Sequence, residues 1–267
     1  MFKSFYGLTF NPFDKSIPEG YAFYSHDHQQ MLSRLDYLKN TRGIGLFTAP
    51  PGLGKTFALR CFAKNLNPNL FQLSYICLST VSVSEFYHQF CFELGLDYNS
   101  KKIVMFRNIQ ERLLNFFKEK RKTFILAIDE SQYLNAGILR DLKMLMNANF
   151  DSIDYFALIL IGQPYLGSIL EKPIHEALKQ RIIVHYNYEG FTSDEGTDYI
   201  YSRIEVAGGA RSIIDEAAVH AVANFSQGIP RIINTVMTDA LILGTQMQKS
   251  TIDTEIILCA SNNLSLH

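Results

Sequence analysis

Hydrophobic positions fall into two regimes along the chain. Up to about residue 190, short apolar runs at 44–47, 73–78, 123–128, 157–161 and 182–184 alternate with segments of helical period. The runs predict strands, and the continuous run at 123–128 reads as a strand buried on both faces of a parallel sheet. Met31, Leu32, Leu35 and Leu38 recur at helical spacing within 25–39, and Ile109, Leu113, Leu114, Phe116 and Phe117 do so within 101–122. Further helices are predicted over 57–66 and from Ser84 to Leu94. From Thr192 only helical patterns remain. Thr192 with Glu195 forms a capping-box start, and the apolar face through Ile200 and Ile204 stops at Gly208-Gly209. A second helix is predicted over 215–225, a third opened by Pro230, and a fourth from Ser250 to about Asn262. The change near Gly190 divides the chain into an α/β domain, 1–190, and a helical lid, 191–267.

The α/β domain begins with an aromatic arm, Phe5-Tyr6-Gly7-Leu8-Thr9-Phe10-Asn11-Pro12-Phe13, whose prolines make it irregular. Aromatic residues at this density seek burial, either lining an adenine pocket or packing against the domain, and the sequence leaves both open. The 267 residues are 47% hydrophobic and 19% charged, which suits a globular chain with a substantial core. A net charge of −1 supplies no global field toward nucleic acid or membrane, so binding to either needs a local patch. The basic patch is 101–122, where Lys101 and Lys102 are candidates for a nucleic-acid groove; a core-packed helix with a solvated basic face is the plainer reading. Cys61, Cys77, Cys91 and Cys259 lack metal-ligand spacing and read as reduced core residues. No apolar stretch has membrane-spanning length and no signal peptide opens the chain, so a cytoplasmic protein is expected.

Chemistry concentrates where the predicted strands end. Ala49-Pro50-Pro51-Gly52-Leu53-Gly54-Lys55-Thr56 lies between a predicted strand and a predicted helix, as a phosphate-binding loop requires. Glycines at 52 and 54 let backbone N–H groups turn around an anion, Lys55 reaches the β- and γ-phosphates, and the Thr56 hydroxyl ligates Mg²⁺. Ala49 stands where the motif has its first glycine. Alanine costs nothing there if the backbone is extended, and extended backbone is expected. About seventy residues later, Asp129 and Glu130 end the third run. Asp129 fits the metal-side carboxylate, and Glu130 the base that polarises an attacking water. Gln163 ends the fourth run, where its amide can bond the γ-phosphate or the water. Arg181 precedes the fifth run, as a surface charge or as a finger reaching a neighbouring subunit.

The order and spacing of these segments resemble the AAA+ ATPases, within them the ExeA-like group that includes transposon helper ATPases of the TniB, TnsC and MuB kind. The resemblance rests on Phe5-Tyr6-Gly7-Leu8, Asn11-Pro12-Phe13, the loop 51–56, Ile128-Asp129-Glu130-Ser131-Gln132, Leu160-Ile161-Gly162-Gln163-Pro164, Gln180-Arg181-Ile182 and Gly228-Ile229-Pro230-Arg231-Ile232-Ile233-Asn234. It implies a P-loop NTPase fold, a five-stranded parallel sheet with the phosphate-loop strand central plus a C-terminal helical lid, with ATP and Mg²⁺ bound between the two. In its light Gly52, Leu53, Gly54, Lys55, Thr56, Phe57 and Arg231 bind nucleotide, and Thr56 and Asp129 hold the metal. Glu130, Lys55, Gln163 and Arg181 serve catalysis, Gln163 as sensor 1, Arg181 as a finger acting in trans and Arg231 as sensor 2. Self-association into a ring or filament follows from the trans role. Secretion-linked members carry a membrane span and a further domain beyond this core. A chain ending at His267 therefore resembles the transposition helper, which assembles on duplex DNA with weak sequence preference and recruits a transposase. The alternatives are a secretion-assembly or signalling ATPase without DNA binding, and a nucleotide-binding adaptor that hydrolyses little.

Overall fold

The computed structural model describes residues 2–146 and 154–264. Five strands, Gly43–Thr48 (β1), Phe71–Ile76 (β2), Thr123–Ile128 (β3), Phe156–Gly162 (β4) and Ile182–Asn187 (β5), form one sheet of order β2-β3-β4-β1-β5. Every neighbouring pair is parallel. The phosphate-loop strand is therefore interior but not central, since β4 takes the middle place. The burial pattern separates interior strands from edge strands. β1, β3 and β4 are buried at every position, whereas β2 and β5 carry exposed residues and stand at the edges.

The helices in chain order are Phe2–Phe5 (α1), His26–Thr41 (α2), Lys55–Lys64 (α3), Val83–Glu93 (α4), Lys102–Lys118 (α5), Ala136–Leu145 (α6), Tyr165–Leu170 (α7), Glu176–Lys179 (α8), Ser193–Val206 (α9), Glu216–Phe225 (α10), Pro230–Gln246 (α11) and Thr254–Leu264 (α12). Helix α4 starts earlier than its pattern suggests, because Ser82, not Ser84, is the N-cap and forms a capping box with Glu85. The box expected at Thr192 and Glu195 is present. Helix α12 begins at Thr254 rather than Ser250, because Ile252 is drawn into a bridge with Ile214. Helix α6 buries Ile138, Leu139, Leu142 and Leu145 at helical spacing, and the short α7 buries Leu166 and Leu170.

Two compact units result, one of residues 30–51 and 55–188, the other of 1–29, 52–54 and 189–267. The first is the α/β unit, with Phe86, Tyr87, Phe90, Ile109, Phe124, Leu126 and Leu158 in its core. The second is the helical unit, and the aromatic arm belongs to it rather than to the α/β side where it was expected. Tyr6, Leu8 and Phe13 bury themselves among Ile200, Ile204, Val236 and Ile256, so the packing reading of the arm holds for these three. The Tyr6 hydroxyl donates to Lys249 O at 3.0 Å. Cys61 and Cys91 are buried, but Cys77 and Cys259 are exposed, and all four are free. Cys77 lies just past the end of β2, and Cys259 sits off the face of α12 that buries Ile256, Ile257 and Ala260.

Candidate active site

The register of the sheet gathers the candidate chemistry. Thr48 at the end of β1 pairs with Gly162 at the end of β4, and β3 ends beside β4 with Ile128 opposite Leu160. The segments that follow these strands carry the phosphate loop, Asp129-Glu130 and Gln163, at the carboxyl edge where open α/β sheets bind ligands.

The loop has the backbone that an anion cradle needs. Gly52 and Gly54 have φ of 91° and 94°, and a Cβ added at Gly54 would meet no atom within 4 Å. Ala49 is not among the residues of positive φ, so the missing glycine introduces no strain. Its N–H donates to Gly162 O at 3.1 Å. Lys55 is buried at the first turn of α3, and its Nζ donates to Ala49 O at 2.8 Å and Pro50 O at 3.2 Å. Phe57 follows on the same helix, under the Arg60 guanidinium at 5.1 Å. In the helical unit, the Arg231 N–H donates to Gly52 O at 3.3 Å while its side chain is exposed.

The two acids are braced from several elements. Asp129 is buried, and its Oδ2 accepts from the Thr56 hydroxyl at 2.7 Å and from the Tyr75 hydroxyl at 2.9 Å. Its Oδ1 accepts from Glu130 N–H at 2.8 Å. Burial first, and the Asp129 carboxylate second, push the Tyr75 hydroxyl above its ordinary pKa, so it remains a donor. Glu130 has φ 49° and ψ 37°, the left-handed region that a residue with a side chain rarely visits and that costs about 1–3 kcal/mol. Ser79 Oγ donates to Glu130 O at 2.8 Å, and Gln132 Nε2 donates to Glu130 Oε2 at 2.6 Å. Neither Tyr75 nor Gln132 stood out as a site residue in the sequence. Gln132 follows the acidic pair by two residues, the one sequence signal for it, whereas Tyr75 lies inside the 73–78 run with nothing to mark it.

The donor set fits its expected ligand. A hydroxyl and a carboxylate converging from two elements are oxygen ligands suited to Mg²⁺, and the open space at Gly54 suits a phosphate. Arg181 is partly buried, and its Nη1 meets Asp154 Oδ1 at 3.3 Å. Lys102 pairs with the buried Asp141 carboxylate at 2.5 Å and lies over the Tyr87 ring, whereas Lys101 is exposed. The two lysines singled out together thus have different environments.

Residues 38–170 match the family described as the AAA domain. The chain carries an AAA+ ATPase domain. Over 245 residues it is 31% identical to general secretion pathway protein A of Aeromonas hydrophila, a match covering 91% of this chain and 44% of that relative. The AAA+ fold recurs in Cdc6p of Pyrobaculum aerophilum, with TM-score 0.71 and 16% identity over 94% of this chain and 70% of the other. It recurs in the Thermotoga maritima RuvB Holliday junction branch migration motor, with TM-score 0.62 and 20% identity over 91% of this chain and 70% of the other. Aeropyrum pernix ORC1, solved in complex with DNA, matches with TM-score 0.66 and 17% identity over 93% of this chain and 68% of the other. These structures share the fold of the AAA+ domain. Because this chain spans less than half of the secretion relative, its length does not separate a secretion client from a DNA client.

Proposed function

We propose that this chain is an Mg²⁺-dependent ATPase whose hydrolysis controls its own assembly and that of a protein client related to secretion. The observation that carries the hydrolytic part is the 2.7 Å bond between Thr56 Oγ1 and Asp129 Oδ2, which brings two oxygen donors 73 residues apart in sequence to one place, as a metal–nucleotide site requires. The backbone of 52–54 and the Lys55 ammonium would hold the phosphates, with Phe57 and Arg231 as further nucleotide contacts. Thr56 and Asp129 would hold Mg²⁺, which when bound supplies charge neutralisation at the transferring phosphate. Glu130 orients a water and takes its proton, and Gln163 fixes that water or the terminal phosphate. Arg181, tied to Asp154 within one chain, would serve a neighbouring subunit's nucleotide after self-association. The secretion client is supported by the 31% identity to general secretion pathway protein A.

The second reading is the DNA-bound transposition helper that recruits a transposase. The exposed Lys101 at the start of the basic helix α5 favours it, while the pairing of Lys102 with Asp141 leaves that side chain less to offer a phosphate. No helix among the described residues is long and apolar enough to cross a membrane.

Two experiments divide these readings. Glu130→Gln should keep ATP binding and slow turnover by about 10²–10⁴-fold, and an unchanged rate would favour the non-hydrolysing adaptor. Sedimentation with duplex DNA in ATP, ADP or a non-hydrolysable analogue should show nucleotide-dependent self-association without DNA. ATP-gated co-sedimentation that weakens with salt would replace the secretion reading by the helper.

A further inference from the structure

The side chain of Gln132 spans two places that the chemistry uses. Its Nε2 donates to Glu130 Oε2 at 2.6 Å, and its Oε1 accepts from the Gln163 N–H at 3.1 Å. The partners dictate which end of the amide is which, because a backbone N–H can only donate and a carboxylate only accept. Gln132 is 7% exposed and sits in the short turn Ser131–Tyr133. That turn is itself pinned, since the fully buried Ser131 donates through Oγ to Ile128 O at 2.8 Å. The strand β4 makes room for the amide: a Cβ added at Gly162 would stand 2.6 Å from Gln132 Oε1 and 2.9 Å from Leu166 Cδ2. Gly162 does not have positive φ, so what glycine supplies there is space.

We propose that Gln132 is a positioning residue, which ties the Glu130 carboxylate to the end of β4 and so holds it in register with Gln163. The proposal rests on the hydrolytic reading of Glu130 given above. Glu130 is exposed and its backbone is strained, so its carboxylate needs an external anchor to keep one geometry. The 2.6 Å contact to an ionised acceptor is of the charge-assisted class, the stronger kind of hydrogen bond. The same amide couples the two strand ends: a displacement of the β4 end at Gln163 is passed through Gln132 to the base. Gln132 touches no reacting atom, and it acts through Glu130.

The test uses the full chain with Gln132→Ala, Gln132→Met and, as an independent route, Gly162→Ala. ATP turnover, equilibrium binding of a fluorescent ATP analogue and amide exchange at Gln163 are measured on each. Losing one charge-assisted bond should lower kcat by about 10–100-fold. Nucleotide affinity should stay within about twofold of wild type, and exchange at the Gln163 N–H should accelerate. Gln132→Met keeps the side-chain volume, so it answers the question if the alanine variant fails to fold. Wild-type turnover with an unchanged kcat in folded Gln132→Met would overturn the proposal. So would unchanged Gln163 exchange in that variant. A wild-type chain that binds ATP without turnover would instead overturn the hydrolytic reading, and the positioning role with it.

Discussion

The two glycines of the phosphate loop make a controlled pair, because they share a backbone requirement and differ in what surrounds them. Gly52 and Gly54 both have φ near 90°, so an alanine at either incurs strain of about 1–3 kcal/mol. At Gly54 the added Cβ meets nothing within 4 Å. At Gly52 it would stand 2.9 Å from Arg231 Cβ and 3.0 Å from Ile229 Cγ2. The Arg231 Cβ is attached directly to the backbone of α11, so it cannot swing away as the tip of a long side chain would. Overpacking adds about 1–3 kcal/mol. The common strain cancels in the comparison, and Gly52→Ala should be the less stable variant by the packing difference. At roughly 2–4 °C per kcal/mol, thermal melts without nucleotide resolve it. Nucleotide binding should separate the pair from a second direction. The Gly54 Cβ would enter the open space assigned to a phosphate, so Gly54→Ala should lose ATP affinity although it melts closer to wild type. If Gly54→Ala melted at or below Gly52→Ala, the assignment of the steric term to Arg231 and Ile229 would be wrong.

Two further expectations come from charges. Lys102→Glu places a second carboxylate against buried Asp141 and should destabilise the fold by about 1–3 kcal/mol in urea unfolding, whereas Lys101→Glu should stay within about 0.5 kcal/mol. If the DNA reading is right, Lys101→Glu should weaken duplex binding equally across sequences, and equal stability loss in the two variants would refute the difference in their surroundings. The buried His28 and His175 have pKa values below the ordinary 6.5, through burial in both and, for His175, also through the charges of Arg140 and Lys172. Below that value the unfolded chain binds protons that the folded chain refuses. Their contribution is therefore undiminished above pH 6.5 and is lost as the pH falls toward the depressed folded values. Melting temperatures followed downward from pH 7 should fall less steeply in His175→Gln than in wild type, and parallel curves would remove His175 from the account.

Much of this protein could be read from the chain because the signals are local. Each strand announces itself as a short apolar run, and the phosphate loop is a contiguous segment whose glycines serve the backbone on the spot. Asp129, Glu130 and Gln163 stand out because they follow such runs directly, so a one-dimensional pattern suffices to put them at strand ends. What the pattern does not contain is lateral order. Periodicity says that a strand is buried, not which strand lies beside it, and the order β2-β3-β4-β1-β5 decides which strand-end residues meet. That order brings Tyr75 on β2 to Asp129 after β3, and Gln163 after β4 to Gln132. Arg181 and Lys102 look like free charges in the sequence, and each turns out to face an acid, Asp154 and Asp141, whose separation along the chain hides the pair. Backbone demands and hydrophobic runs are set by neighbours in sequence, whereas the partner of a polar side chain is chosen by packing, and only the tertiary structure reveals it.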